Sequence, residues 1–176
     1  MKKILAFAGS NHVKSINHQL VEFTASLMTN YEVNVLDIRD WEVPIYSLNM
    51  DPDQTPEQIT ELIALIKTHD GFIISSPEHN GGTPAFLKNI IDWLSRRGDK
   101  VFDKKPLLVM STSPGARGGA TNLEYLVRSL PYQGATIGAS YSLPSFFDNF
   151  KDGKVVGDQL GELQKNVEDF KGALNR

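Results

Sequence analysis

The chain has 176 residues, of which 40% are hydrophobic and 22% charged, with a formal net charge of −3 and no cysteine. These values describe one ordinary globular domain over residues 1–176, able to bury about two-thirds of its unfolded surface. They exclude disulfides, thiolate metal ligands and a cysteine nucleophile, and the mixed charges with no basic run leave no nucleic-acid footprint.

The first apolar run, Ile4-Leu5-Ala6-Phe7-Ala8, does not alternate, as expected of a parallel strand covered on both faces. It is about as long as a buried strand and ends in Gly9-Ser10-Asn11-His12, so it reads as the opening strand of a cytoplasmic protein and not as a leader. No segment approaches the ~20 apolar residues of a membrane span. A polar loop to Lys14 leads into a helix with Ser15 as N-cap and Ile16, Leu20, Phe23, Leu27 and Met28 on one face. Val33, Val35 and Ile38 mark a second strand, with Asp37 among them.

Between Asp40 and Gln54 the pattern lapses but stays apolar through Trp41, Val43, Ile45, Tyr46, Leu48 and Met50. Such a long connection is either folded over the sheet edge or a wall of a site or subunit contact. Thr55-Pro56-Glu57-Gln58 is a capping-box pattern, and Ile59, Leu62, Ile63 and Ile66 follow at helical spacing.

A third strand, Gly71-Phe72-Ile73-Ile74, runs into Ser75-Ser76-Pro77-Glu78-His79-Asn80-Gly81-Gly82-Thr83-Pro84. Pro77 stops the strand, the glycines permit a tight turn, and Thr83-Pro84 is a helix start. The helix that follows buries Leu87, Ile90, Ile91, Trp93 and Leu94. Leu107 to Met110 forms a fourth strand and opens onto a second glycine-rich loop, Ser111 to Gly119. Leu123, Leu126, Val127 and Leu130 give a helix that Pro131 ends, and Ala135 to Leu143 gives a fifth strand closed by Pro144. Phe146, Phe147 and Phe150 belong to a turn region before Asp152-Gly153, and Leu160, Leu163, Val167, Phe170 and Leu174 mark a final helix.

Strict strand–helix alternation with apolar strands predicts an α/β fold with a parallel sheet covered by helices on both faces. Five strands fit the flavodoxin-like order 2-1-3-4-5, a three-layer sandwich whose strand order reverses between the first and third strands. The loops at Gly9–Ser15 and Pro77–Thr83 meet at that crevice, beside the loop at Ser111–Gly119. The first loop places Ser10, Ser15 and Asn17 at a helix N-terminus, where free N–H groups and the helix dipole favour an anion; the bland alternative is capping by Ser15. A Walker loop and a dinucleotide fingerprint both fail, since Ala8, Asn11, Val13 and Lys14 stand where glycines are needed. In the second loop, Glu78 is a candidate base and His79 a candidate acid or metal ligand. The four histidines show no metal spacing, and no serine-hydrolase elbow is present. What remains is a backbone edge around Asn80 and the glycines suited to a flat heterocycle. With the hydroxyls and glycines of the third loop, the three describe a site for a mononucleotide carrying an extended ring.

Gly9-Ser10…Ser15…Asn17, Pro77-Glu78-His79-Asn80-Gly81…Leu87-Lys88-Asn89…Asp92-Trp93 and Ser111…Ser113…Gly115…Gly118-Gly119 together resemble the NAD(P)H-dependent FMN reductase family of flavodoxin-like flavoproteins. The resemblance implies that Ser10, Ser15 and Asn17 hold the FMN phosphate, with His12 and Ile16 also among the cofactor-binding residues. It places Pro77, Glu78, His79, Asn80 and Gly81 beside the isoalloxazine ring, and Ser111, Thr112, Ser113 and Gly115 along its remaining edge. His12 stands where the family usually carries arginine, and His79 where it usually carries tyrosine. The implied activity is hydride transfer from NADPH or NADH to bound FMN, then reduction of a quinone, azo, nitro, metal-oxyanion or flavin acceptor. No side-chain acid or base is required, because the cofactor carries the chemistry. The resemblance also implies a homodimer or homotetramer with the flavin near a subunit boundary, for which Trp41–Met50 and the helix from Phe86 to Arg97 are the candidate contacts. A flavodoxin-like electron carrier with a protein partner, and a flavin-free binding or sensor module of the same fold, are the alternatives.

Overall fold

The computed structural model describes residues 1–50, 53–97 and 100–176. The parallel sheet is built of β1 (Lys3–Ala8), β2 (Glu32–Leu36), β3 (Gly71–Ser75), β4 (Pro106–Thr112) and β5 (Thr136–Leu143), in the order β2-β1-β3-β4-β5. It is the flavodoxin-like order expected above. The three central strands are buried from their second residue onward and mostly apolar because helices cover both faces; edge strand β2 keeps exposed polar positions at Glu32 and Asn34.

The helices are α1 (Ile16–Ser26), α2 (Glu57–Lys67), α3 (Ala85–Arg97), α4 (Ala120–Ser129), the one-turn α5 (Phe146–Asn149) and α6 (Asp158–Leu174). Alternate strand residues feed two cores. On one face Leu5, Phe7, Phe72, Ile74, Leu107 and Val109 pack against α2, α3 and α4, with Trp93 fully buried. On the other, Ile4, Ala6, Ile73, Leu108 and Met110 meet α1 and α6, including Leu20, Leu163 and Phe170. Among the described residues no helix is long and apolar enough to cross a membrane.

Several local expectations are corrected. Ile38 is not a strand residue: Asp37 caps a 3₁₀ turn over Ile38–Trp41, its carboxylate accepting the Arg39 N–H at 3.1 Å. The buried face of α1 is Asn17, Leu20, Val21 and Thr24, rotated from the anticipated stripe, while Ile16, Phe23 and Leu27 lie at its margin. Pro56 takes the cap position of α2 without a side-chain cap bond. Thr83 does not cap α3, because its hydroxyl donates to Asn122 Oδ1 at 2.6 Å. Ser111 and Thr112 close β4 and do not begin the loop. The phenylalanine-rich turn is α5 plus a hairpin, Phe150–Lys151 against Lys154–Val155.

The long connection after the second strand folds down onto α3. Asn89 donates to the carbonyls of Val43 and Pro44 and accepts the Tyr46 N–H, and the Trp93 indole N–H donates to Pro44 at 2.8 Å. Those bonds leave Ile45 and Leu48 exposed on its outer side. Residues 51 and 52 of the connection lie outside the described residues.

Candidate functional site

Three loops leave the carboxyl ends of β1, β3 and β4 side by side, where the strand order reverses. Two buried asparagines join them. Asn17, in the first turn of α1, donates to the Thr112 carbonyl at 3.1 Å and accepts the Thr112 N–H at 3.1 Å, so its carboxamide pairs with the end of β4 much as another strand would. Its oxygen also accepts the Ser75 hydroxyl at 2.7 Å. Asn122, in the first turn of α4, donates to Ser76 Oγ and the Pro77 carbonyl and accepts from Thr83. It thereby clasps both ends of the loop after β3.

The first loop sets unengaged donors at the N-terminus of a helix. Ser10 Oγ accepts the His12 N–H, and Ser15 Oγ accepts the His18 N–H as the N-cap of α1. Both hydroxyl protons are left to donate outward. The N–H groups of Asn11, Val13, Ile16 and Asn17 have no hydrogen-bond partner among the described residues. The last two belong to the first turn of an eleven-residue helix, where the dipole adds to their pull on an anion. His12 is exposed and turned onto its own loop: Lys14 N–H donates to its Nδ1 at 3.2 Å, which puts the ring proton on Nε2. This donor set fits a phosphate monoester.

The second loop is closed on itself. His79 and Gly82 exchange both backbone hydrogen bonds, at 2.9 and 3.0 Å, around Asn80 and Gly81 with φ of 52° and 78°. Two positive φ values make this a type I′ turn, for which Asn-Gly is the preferred pair. Pro77 is half-buried at its base, and His79, Asn80 and Gly81 are exposed at its tip. Glu78 is not poised as a base: its carboxylate accepts the Asn122 N–H at 3.1 Å and so caps α4 from another loop. That cap replaces the side chain missing at Gly119, the N-cap residue of α4.

In the third loop, Ser111 is fully buried, its hydroxyl donating to the Ser76 carbonyl at 2.7 Å. Thr112, equally buried, donates to the Leu143 carbonyl. Their side chains hold strands, so of the four residues expected along the ring edge only Ser113 and Gly115 present surface. Both are stapled to the start of α5: Phe146 N–H donates to the Ser113 carbonyl and Ser145 N–H to that of Gly115.

The structure thus gathers Ser10, His12, Ser15, Ile16 and Asn17 at one end of the crevice and Pro77 to Gly81 at its centre. Ser75, Ser76 and Asn122 were missed as positioning residues. The available signal was spacing: Asn122 lies four residues before Leu126 and eight before Leu130, which puts a polar residue on the buried stripe. Beside the turn, Gly81, Gly82, Thr83, Lys88, Tyr125 and Arg128 line much of a cleft of about 360 Å³.

A model of the NADPH-dependent FMN reductase family matches residues 2–150. A quinone reductase of Escherichia coli is 30% identical over 164 residues, 92% of this chain and 84% of that protein. A 2-hydroxy-1,4-benzoquinone reductase from a Burkholderia species is 36% identical over 126 residues, 70% of this chain and 67% of its own length. Among solved structures, FerB of Paracoccus denitrificans, a flavoenzyme NAD(P)H:(acceptor) oxidoreductase, superimposes with a TM-score of 0.80 at 27% identity, covering 99% of this chain and 98% of FerB. The sheet order, the crevice and these relatives agree: the chain belongs to the NADPH-dependent FMN reductase family of flavodoxin-like oxidoreductases.

Proposed function

We propose that residues 1–176 form a single FMN-binding domain that acts as an NAD(P)H-dependent quinone reductase. The observation that carries this is the contrast in the crevice: unengaged donors at Ile16 and Asn17 at one end, and a rigid, side-chain-poor turn at Asn80-Gly81 in the centre. Ser10, Ser15 and the first-turn N–H groups would hold the phosphate, with His12 at the rim. Pro77 to Gly81 would support one edge of the ring, and Ser113 and Gly115 would border another, while Ser111 and Thr112 set their position from below. FMN, when bound, supplies the hydride-accepting and electron-releasing chemistry. The protein's part is to orient the ring and leave its open face to the neighbouring cleft, whose size suits a ring-sized ligand.

Quinones are the acceptor class favoured over azo, nitro, metal-oxyanion and free-flavin acceptors, because relatives with 30% and 36% identity carry quinone-reductase names. NADPH or NADH serves as donor. A homodimer or homotetramer working in the cytoplasm completes the reading; exposed Ile45 and Leu48, held by Asn89 and Trp93, offer an apolar contact. The purified protein should be yellow, or become so with FMN, and oxidise NADH or NADPH only when a quinone is supplied. Colourless protein that takes up no FMN would remove the flavin reading, and yellow protein without turnover would leave an electron carrier.

A further inference from the structure

We propose that Arg39 is a phosphate-binding residue of the cofactor site, reaching the first loop from the segment after β2 and held in position by Asp37. The inference rests on the reading that the first loop receives the FMN phosphate. A phosphate monoester is close to a dianion at neutral pH, so it needs countercharge in addition to N–H donors. From Gly9 to Asn17 the only permanent cation is Lys14, whose ammonium has no hydrogen bond or ion pair among the described residues to hold it toward the loop.

Arg39, exposed like Lys14, differs in being held in place by Asp37, with part of its guanidinium still open to an oxyanion. It lines the same narrow cleft as Ser10, His12, Ser15 and His18, with Asp37 and Ile38 beside it. The buried Ile38 anchors the segment to the core, so the residues on either side return to the loop at a fixed place. Asp37 grips the guanidinium from one side: Nε donates to Oδ1 at 2.8 Å and to Oδ2 at 3.0 Å, and Nη2 donates to Oδ2. This side-on grip engages Nε and one Nη2 proton. Three of the five guanidinium N–H groups remain for an oxyanion, in the fork geometry that matches phosphate. The same contact holds the Asp37 carboxyl down at about 2, so it stays ionised and keeps the fork oriented throughout the neutral range. His18 lines the same cleft, with its Nε2 3.6 Å from Glu22 Oε1.

The test compares FMN with riboflavin, which has the same ring and no phosphate. Dissociation constants would be measured on the full chain, stripped of flavin, by quenching of flavin fluorescence. Arg39→Ala should weaken FMN about tenfold and leave riboflavin unchanged, the loss of a charge-assisted hydrogen bond. Arg39→Lys, which keeps the charge without the fork, should recover part of that loss. Equal weakening of both flavins, or no change in either, would overturn the role of Arg39. A wild-type chain that binds neither flavin would instead overturn the cofactor reading on which it rests.

Discussion

The loops after β1 and β3 solve opposite problems. The first keeps four backbone N–H groups unengaged around two hydroxyls, and the second engages its own backbone in a two-residue turn braced by a buried asparagine. A loop that must meet a charged group needs donors pointed outward before the ligand arrives. A loop that must lie beside a flat ring needs fixed shape and little side chain. The two asparagines let both coexist at one crevice, since each fills a buried helix position with a carboxamide and holds the strand ends in place.

The largest expected effect comes from cutting those braces. Asn17→Ala strands the buried Ser75 hydroxyl and both backbone groups of Thr112, and should cost about 3 kcal/mol in urea unfolding. Asn122→Ala should cost somewhat less, about 2 kcal/mol, because Thr83 and Pro77 are less deeply buried and can turn to water. If the braces serve both loops, Asn17→Ala will also speed amide exchange at Thr112, and Asn122→Ala at His79 and Gly82.

A pair of glycine substitutions sharpens the contrast between crowded base and open tip. At Gly119, φ is 77° and a Cβ would overlap the Ser111 hydroxyl, so Gly119→Ala should lose about 2–3 kcal/mol. At Gly81, φ is 78° but nothing among the described residues lies within 4 Å of a Cβ, so Gly81→Ala should lose only about 1 kcal/mol, the left-handed backbone penalty alone. Equal losses in thermal unfolding would mean that the turn tip is packed in a way the structure does not show.

Much of this was legible in the sequence because it depends on period and punctuation. Apolar runs of four or five residues identified three of the strands, and loops at Gly9, Pro77 and Ser111 followed from strand–helix alternation. What stayed hidden shares a cause. Asp37, Thr83, Glu78 and Asn17 each have local readings as strand residue, cap, base or ligand, and each is claimed by a partner distant in sequence or by a competing turn. Thr83 bonds Asn122, Glu78 caps α4, and Asn17 pairs with Thr112. No local pattern states which long-range partner a polar side chain takes. Arg39 was silent for the same reason, since only folding brings it beside Ser10 and Ser15.

The smallest effect concerns acid. The Arg39 guanidinium holds the Asp37 carboxyl below its ordinary value, to about 2. A carboxyl depressed on folding stabilises the native state above its unfolded value near 4, and that contribution disappears as pH falls toward 2. Asp37→Asn should therefore lower stability above about pH 4, with the difference from wild type vanishing as pH falls toward 2, so that the acid limb is flatter between those values. Because the pair is partly exposed, the difference will be small and will shrink with salt.

The central claim is the division of labour between the two loops, and backbone amide NMR during flavin titration tests it most directly. With FMN, the amides of Asn11, Val13, Ile16 and Asn17 should show the largest downfield shifts, as unengaged donors acquire an anion. With riboflavin those four should stay near their free positions, while His79 to Gly82 move to a similar extent with either flavin. Large shifts at Ile16 and Asn17 with riboflavin, or none there with FMN, would contradict the account.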